Sequence, residues 1–171
     1  MTTSTYRLIP FVLLAVLLTA AAAAAQEHVS FRPPPGFKPP TARQSGDYLL
    51  LQFVKEGEEA SAWTELLRVE QFRRTKEDRS PREAYDHLKA TADKRCPGVT
   101  DWRILQEDEG TFLFESVAKA PCEGQPARWE LARLFLGRNT RYQVAYLTSA
   151  EPTPEVRDTW ISWLRGTSLE K

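Results

Sequence analysis

Apolar and polar residues alternate along much of the chain with a period of two, which is typical of half-buried β-strands. One such run begins at Tyr48 and another spans Trp63 to Phe72, with a turn around Gly57 between them. These runs are predicted to pair as a hairpin. Short turns join four later runs into two further hairpins: Trp102 to Glu107 with Thr111 to Ala118, and Arg128 to Leu136 with Thr140 to Thr148.

Two other segments carry apolar residues three or four positions apart, the spacing of an amphipathic helix. The first begins at Ser80-Pro81-Arg82-Glu83, a capping box with proline at the first helical position, and ends at Pro97-Gly98. Its predicted buried stripe is Tyr85, Leu88, Ala92 and Cys96. The second begins at Thr153-Pro154-Glu155, and its predicted buried stripe is Val156, Trp160, Trp163 and Leu164.

The element order ββαββββα predicts an α+β domain in which a mostly antiparallel sheet of about six strands is covered by two helices. Residues 43–171 are assigned to this single domain, and residues 26–42 to a proline-rich lead-in. The density of prolines from Phe31 to Pro40 predicts extended backbone geometry. A ligand for an aromatic groove is the alternative interpretation of the lead-in.

Residues 1–25 have the pattern of a secretory signal peptide. Arg7 precedes an apolar run, and the alanines from Ala20 to Ala25 are small residues of the kind that a signal peptidase accepts. We expect cleavage after Ala25 and export to the periplasm or the extracellular space. An uncleaved anchor over the 18 uncharged residues from Leu8 to Ala25 is the alternative, which Pro10 and the alanine content disfavour. No transmembrane segment is predicted after cleavage.

Cys96 and Cys122 are the two cysteines of the chain. In an oxidising compartment such a pair is expected to form a disulfide, which would join the end of the first helix to the loop from Pro121 to Pro126. A reactive thiol pair and a metal site are alternatives. The long spacing and the lack of an accompanying histidine disfavour both.

Charge and motifs exclude several classes of function. The chain has 23 basic and 23 acidic residues, and loss of Arg7 with the leader leaves 22 against 23, so no nucleic-acid partner is expected. The sequence contains no motif of a serine hydrolase, a zinc protease or a phosphate-binding loop. We therefore expect no enzymatic activity and no cofactor. His87 is interpreted as a solvated residue of the first helix.

Five residues are candidates for binding. Trp160 and Trp163 could form an exposed aromatic pair, although core packing is the first interpretation. Arg73 and Arg74 belong to a basic run that could contact lipid headgroups or an acidic partner, although a solvated loop is the first interpretation. No resident metal is expected. A mature chain beginning Gln26-Glu27-His28 could nevertheless bind Cu(II) through its amine, two amides and the imidazole of His28, unless Gln26 cyclises.

The element order resembles that of the Mog1/PsbP-like group of small domains over about Arg32 to Leu169. The resemblance also rests on Pro35-Gly36-Phe37, on Trp63-Thr64-Glu65 and on the terminal helix with its tryptophans. It implies an α+β fold and a non-enzymatic binding or assembly factor, and no functional residue can be carried over. A cystatin-like or other helix-on-sheet fold also fits.

The resulting hypothesis is an exported, soluble, non-enzymatic accessory protein that binds another envelope component or a protein partner. The partner and the oligomeric state are not predicted. The alternative is a carrier of an apolar ligand, such as a lipid, in a cavity between sheet and helix. That cavity would be lined by aromatic residues of the strands: Trp102, Phe112, Phe114, Trp129, Phe135, Tyr142 and Tyr146.

Overall fold

The computed structural model describes residues 27–170, which form nine strands and two helices. The leader lies outside the described residues. The elements in chain order are β1 (His28–Ser30), β2 (Thr41–Ser45), β3 (Tyr48–Val54), β4 (Glu65–Arg73), α1 (Pro81–Arg95), β5 (Thr100–Asp108), β6 (Thr111–Ala118), β7 (Arg128–Leu136), β8 (Thr140–Thr148), α2 (Pro154–Arg165) and β9 (Ser168–Glu170).

Seven strands form one sheet in the order β2-β3-β4-β8-β7-β6-β5, and every neighbouring pair is antiparallel. The α+β class, the six expected strands and the three expected hairpins are confirmed. The pairing of β4 with β8 joins the two halves of the sheet, with Leu67 opposite Tyr146 and Val69 opposite Val144. This contact links strands that are far apart in the chain.

Two strand pairs were not predicted. β2 adds a seventh strand to the sheet, and a turn at Gly46, with φ of +57°, connects it to β3. Every residue of β2 is exposed, so the strand has no alternation of apolar and polar residues that could reveal it. β1 and β9 form a separate two-stranded ribbon that joins the lead-in to the segment after α2.

The two helices cover opposite faces of the sheet, and each face has its own hydrophobic core. The core on the α2 side includes Leu67, Leu131, Val144, Trp160 and Leu164. The core on the α1 side is built from different residues of the same strands, with Leu66, Phe112, Phe114, Leu134 and Tyr85 among its members. Since successive side chains of a strand point to opposite faces, the central strands are buried on both sides.

Both helices begin where the sequence predicts. The Ser80 hydroxyl accepts a hydrogen bond from the Glu83 amide at 3.1 Å, and each helix has proline in its first turn. The end of α2 is held by a contact that no local pattern reveals. The Arg133 guanidinium, on β7, donates hydrogen bonds to the carbonyl oxygens of Leu164, Arg165 and Thr167 at 2.6 to 3.0 Å. The Leu164 carbonyl oxygen also accepts hydrogen bonds from the amide and the hydroxyl of Thr167, so groups outside the helix satisfy its last carbonyl oxygens.

The buried face of α2 differs from the predicted stripe. Trp160, Ile161 and Leu164 are buried, whereas Val156 is 39% exposed and Trp163 is half-buried. At 3.6 residues per turn, the observed face is rotated by roughly 60° from the predicted one. Val156 was therefore wrongly assigned to the core. Ile161 is an apolar residue that faces the sheet in its place.

The predicted disulfide is formed. Cys96 follows the last residue of α1, Cys122 lies in the loop between β6 and β7, and their Cα atoms are 6.2 Å apart. That Cα distance is within the ordinary range for a disulfide. The bond attaches the β6–β7 loop to the end of α1. In the part of the chain from residue 27 to residue 170, no helix has the length and apolar character needed to cross a membrane.

Replacing Leu164 by alanine is expected to lower the free energy of unfolding by about 2 to 5 kcal/mol, because the side chain is fully buried against the sheet. The matched variant Val156→Ala is expected to change it by less than about 0.5 kcal/mol, because Val156 is exposed. Urea unfolding followed by circular dichroism measures both. Equal losses for the two variants would contradict the observed orientation of α2.

The double variant Cys96→Ser, Cys122→Ser is expected to lose about 3 to 4 kcal/mol of stability, because the bond closes a loop of 26 positions in the unfolded chain. Urea unfolding with and without reductant measures this loss. Reductant should bring the wild-type protein to the stability of the variant and leave the variant unchanged. Wild-type stability that does not respond to reductant would refute the assignment.

Candidate functional site

A cavity of about 360 Å³ lies between α1 and the sheet, and we call it the α1 cleft. Its polar lining comes mainly from three neighbouring strands: Arg68 and Glu70 of β4, Arg141 and Gln143 of β8, and Arg128 and Glu130 of β7. His87, Leu88, Thr91, Ala92 and Arg95 of α1 line the opposite wall. Trp102 and Phe114 close the end towards β5 and β6.

Two alanines explain why the sheet has room for charged side chains here. Ala145 of β8 lies directly opposite Arg68 of β4 on one side and Ala132 of β7 on the other. Both alanines are fully buried. Because their side chains are short, the longer side chains of Arg68, Glu130 and Gln143 can meet above them. The core on this face is therefore interrupted by a polar cluster.

The polar cluster is centred on Arg68. Its Nη2 donates a hydrogen bond to Glu130 Oε1 at 2.8 Å, and its Nε is 3.0 Å from Glu70 Oε2. Gln143 Nε2 donates to the same Glu130 oxygen at 2.8 Å, and the Tyr48 hydroxyl donates to Glu70 Oε1 at 2.8 Å. Every member thus contacts an oppositely charged or hydrogen-bonding neighbour.

Electrostatics keep this cluster charged. Burial lowers the pKa of Arg68, but the carboxylates of Glu130 and Glu70 outweigh that effect and leave the pKa above its ordinary value. Burial and the neighbouring Glu70 carboxylate raise the pKa of Tyr48, so its hydroxyl stays protonated and able to donate. Neither group can exchange a proton near neutral pH.

A second ion pair closes the end of the cleft near the β4–α1 loop. Arg141 Nη1 donates to Asp78 Oδ1 at 2.9 Å, and Asp78 is fully buried. The other carboxylate oxygen of Asp78 accepts hydrogen bonds from the amide and the hydroxyl of Thr75. The Arg141 guanidinium also lies 4.7 Å from the ring centre of Phe72. Arg141 is thereby held rigidly against the sheet.

Four buried side-chain atoms in residues 27–170 have no hydrogen-bond partner, and all four belong to residues that line the α1 cleft. They are Arg68 Nε, Trp102 Nε1, Arg141 Nε and Gln143 Oε1. Arg68 Nε is close to Glu70, but its N–H is not aligned with that carboxylate. Buried polar groups normally have partners, so these residues are under-satisfied where the polar cluster interrupts the core.

A second cavity, of about 450 Å³, adjoins the α1 cleft. The two share Arg68, Glu70 and Arg128 of the sheet, together with two residues of α1. The second cavity extends along the loop that carries Cys122. The disulfide therefore positions one wall of a groove that continues from the cleft.

The tryptophans of α2 lie on the other face of the sheet. Trp160 is buried, with its ring stacked on Tyr146 at a centroid distance of 4.0 Å. The Trp163 indole donates a hydrogen bond to the Arg32 carbonyl at 3.0 Å and contacts Phe31 edge-on. The lead-in thus packs over these tryptophans, as the interpretation of core packing requires.

The candidate arginines lie at the end of β4. Arg73 is exposed and pairs with Asp47 at 3.3 Å. Arg74 is engaged by the backbone, since its guanidinium donates to the carbonyl oxygens of Asp78 and Gly137 at 2.6 to 3.1 Å. Arg74 therefore shapes the loop that carries Asp78, while the head group of Arg73 remains accessible.

Neither histidine lies inside the cleft. His87 is exposed at the rim, in agreement with its interpretation as a solvated residue. His28 lies in β1 with its Nε2 3.5 Å from a carboxylate oxygen of Glu170. The copper hypothesis also requires Gln26, which lies outside the described residues. In residues 27–170, no group of three or more histidine, cysteine or acidic side chains has the geometry of a metal site.

The aromatic residues expected to line an apolar cavity lie mostly inside the two cores. Five of them are at most 4% exposed: Phe112, Phe114, Phe135, Tyr142 and Tyr146. Phe112 and Phe114 pack with Tyr85 of α1, whereas Phe135, Tyr142 and Tyr146 belong to the α2 side. Trp102 and Trp129 are half-buried. These aromatic side chains therefore fill space on both faces of the sheet.

Comparison with known proteins gives a likeness of fold. No family model matches the chain, and no curated protein matches its sequence. The chain is similar to the solution structure of cyanobacterial PsbP (CyanoP) from Synechocystis sp. PCC 6803, with 11% sequence identity and a TM-score of 0.48. The alignment covers 88% of this chain and 96% of that chain. This likeness shows nothing about the α1 cleft.

Sequence reasoning missed the cleft, although one signal was present. β7 and β8 have almost continuous buried residues, yet each contains polar residues at positions that face α1, namely Glu130, Arg141 and Gln143. A polar residue inside a strand that is buried on both faces needs a partner. The sequence could not identify those partners, because they lie on other strands.

Replacing Asp78 by asparagine is expected to cost about 3 to 5 kcal/mol of stability, because Arg141 loses its buried carboxylate partner. Asp47→Asn removes an exposed partner of Arg73 and is expected to cost less than about 1 kcal/mol. Urea unfolding of the two variants measures the difference. A small loss for Asp78→Asn would show that the Asp78–Arg141 pair does not stabilise this end of the cleft.

Proposed function

We propose that this protein is an exported, non-enzymatic accessory protein that binds another component of the cell envelope through the α1 cleft. The observation that carries the proposal is the cleft itself, a cavity of about 360 Å³ that charged side chains of three strands line and that is open at the exposed residues His87 and Thr91. A concave site with oriented polar groups is typical of ligand binding.

The disulfide supports export. Disulfides persist in oxidising compartments and are rare in the reducing cytosol. The bond between Cys96 and Cys122 also positions the loop that borders the groove next to the cleft. The geometry of the proposed site therefore depends on a bond that an oxidising environment preserves.

The charged groups of the cleft favour binding over catalysis. Arg68, Glu70 and Glu130 contact one another, and Arg141 pairs with Asp78. General acid–base catalysis needs a group that changes its protonation state near the working pH. The raised pKa of Arg68 moves it further from that range. A set of mutually neutralised, rigid charges is suited to hydrogen bonding with a bound group.

The same geometry supports a polar ligand over an apolar one. A lipid carrier would present an apolar cavity, whereas charged side chains from three strands line the α1 cleft. Five of the seven aromatic residues proposed for such a cavity are buried within the two cores. A lipid chain against Arg68 and Glu130 would displace water from charged groups without forming hydrogen bonds to them.

Photo-crosslinking in cells of the native host tests the proposal. The variant Thr91→p-benzoylphenylalanine places the crosslinker at an exposed position that lines the cleft. We expect it to yield a crosslinked adduct in the envelope fraction, because the bound component lies within reach. The control, Asp158→p-benzoylphenylalanine, carries the crosslinker at an exposed position of α2 and is expected to yield none.

Two results would overturn the proposal. An adduct at position 158 without one at position 91 would place the contact outside the cleft. No adduct at either position, with the folded protein present in the envelope fraction, would show that the cleft does not bind an envelope component.

A further inference from the structure

We infer that a cavity at one end of the sheet binds the phosphate of an anionic lipid headgroup at a membrane surface. Its lining comes from the β2–β3 turn, the end of β4 and the β7–β8 turn, and we call it the turn groove. The turn groove shares no lining residue with the α1 cleft. The inference therefore goes beyond the proposed function and can fail without affecting it.

The charged side chains that line the turn groove have a positive excess. They are the guanidinium groups of Arg73, Arg74 and Arg138 and the carboxylate of Asp47. The Glu27 carboxylate also lies at this end, because it accepts a hydrogen bond from the Arg138 amide at 2.7 Å. Counting it still leaves three positive groups against two negative ones. This end of the sheet therefore attracts an anion.

Neighbouring charges do not remove this excess. Each neighbouring acid has a basic residue beside it: Asp78 pairs with Arg141, Glu70 contacts Arg68, and Glu77 directly follows Lys76 in the chain. These residues add no net charge to the groove.

Two of the guanidinium groups are accessible to a ligand. Arg138 is exposed, and its guanidinium has no hydrogen-bond or ion-pair partner within residues 27–170. Arg73 is also exposed, and its contact with Asp47 at 3.3 Å joins two exposed side chains. Exposed ion pairs contribute little to stability, so a phosphate can replace Asp47 at Arg73 at little cost.

Arg74 adds a fixed positive charge to the groove. Its guanidinium donates hydrogen bonds to the backbone carbonyl oxygens of Asp78 and Gly137, at 2.6 to 3.1 Å. Within the described residues it has no carboxylate partner. Carbonyl oxygens hold the group in place but leave its charge uncompensated, and a guanidinium remains charged in proteins.

The donors of the turn groove match a phosphate. A guanidinium presents parallel N–H groups that can donate to two phosphate oxygens at once. An ionised phosphate diester offers only acceptors, so it can also accept hydrogen bonds from neutral donors. The lining includes four side chains that can donate: Gln44, Gln71, Asn139 and Thr140.

The shape of the groove favours a phosphate that belongs to a larger group. Its volume is about 810 Å³, and Arg73, Arg138 and Asn139 leave it open to solvent. A phosphate ion, with only a few non-hydrogen atoms, would fill a small part of this space. A lipid headgroup, with its phosphate and attached alcohol, can contact more than one of the three segments that form the lining.

The position of the groove favours a membrane lipid as the source of the phosphate. The Arg138 amide holds the carboxylate of Glu27, and the Tyr142 hydroxyl donates to the Glu27 carbonyl at 2.7 Å. Residue 25, the last of the predicted leader, is two positions earlier and is therefore at most about 7 Å from Glu27. A leader that is still in the membrane keeps the turn groove near the headgroups. Basic residues at such a surface attract anionic lipids.

Vesicle flotation of the protein purified from its native host tests this inference. One set of vesicles is phosphatidylcholine alone, and the other has equal parts of phosphatidylcholine and phosphatidylglycerol. We expect tighter binding to the mixed vesicles, because phosphatidylcholine has no net charge. The phosphatidylcholine vesicles also measure any contribution of a retained leader. Binding to the mixed vesicles should weaken as salt is added, because salt screens exposed charges.

The double variant Arg73→Gln, Arg138→Gln removes both accessible guanidinium groups and leaves Arg74 to hold its loop. One basic side chain near an anionic surface strengthens binding roughly 5-fold, so the double variant is expected to bind the mixed vesicles roughly 30-fold more weakly. Asp47→Asn is expected to have the opposite effect, because it removes the carboxylate that competes for Arg73. Tighter binding of up to about 5-fold is expected for that variant.

The matched control is the double variant Lys89→Gln, Lys94→Gln. It removes the same charge from two exposed positions of α1 that do not line the turn groove. The control should bind the mixed vesicles much more tightly than the arginine variant. Circular dichroism of all variants shows whether the fold is intact.

Several results would overturn the inference. Equal binding by the two double variants would show that net charge, and not the turn groove, governs attraction to the vesicles. No preference for the mixed vesicles would exclude a lipid headgroup. Inorganic phosphate is then titrated while the arginine Nε–H resonances are followed by nuclear magnetic resonance. A saturable shift at Arg73 or Arg138 would assign the groove to free phosphate, and no shift would exclude a phosphate site. The crosslink at position 91 tests the α1 cleft independently of these outcomes.

Discussion

The antiparallel pairing of β4 with β8 is the contact on which the rest of this structure depends. It joins the N-terminal hairpin to the four-stranded half of the sheet. In this register Glu65 lies opposite Thr148 at one end, and Arg73 lies opposite Thr140 at the other. A shift of one residue would turn every side chain of a strand to the other face. A shifted β4 would place Arg68 and Glu70 in the core under α2, and Leu67 and Val69 under α1. One register therefore determines both the stability of the domain and the composition of the cleft.

Burying the polar cluster costs free energy of folding, which matters in a small domain. Burying charges removes their hydration, and a buried ion pair repays this only when its geometry is favourable. The α2 side also carries buried charge, because Glu115 pairs with Arg157 of α2 at 2.7 Å and with Arg103 at 2.6 Å. Natural proteins depart from local folding rules chiefly at functional sites. The polar cluster that interrupts the apolar face at Ala132 and Ala145 is a departure of this kind.

The likeness of fold to PsbP and the chemistry of the cleft are separate matters. A fold can host many unrelated functions, because function resides in the site that is built on it. In this chain the site is assembled from α1, three strands of the sheet and, in the adjoining groove, the disulfide-bonded loop. The fold supplies a rigid frame.

Local patterns in the sequence determined the six main strands and both helix starts, because alternation and capping act over a few residues. The sequence also determined the disulfide, because cysteine pairing depends on the compartment. Local patterns could not reveal β2, whose residues are all exposed, or the rotation of α2. The cleft was decided only by the tertiary structure. Arg68 and Glu130 are 62 positions apart in the chain, and their contact exists because β4, β8 and β7 lie side by side. No property of either residue alone predicts that partnership, since strand order is a long-range outcome of folding.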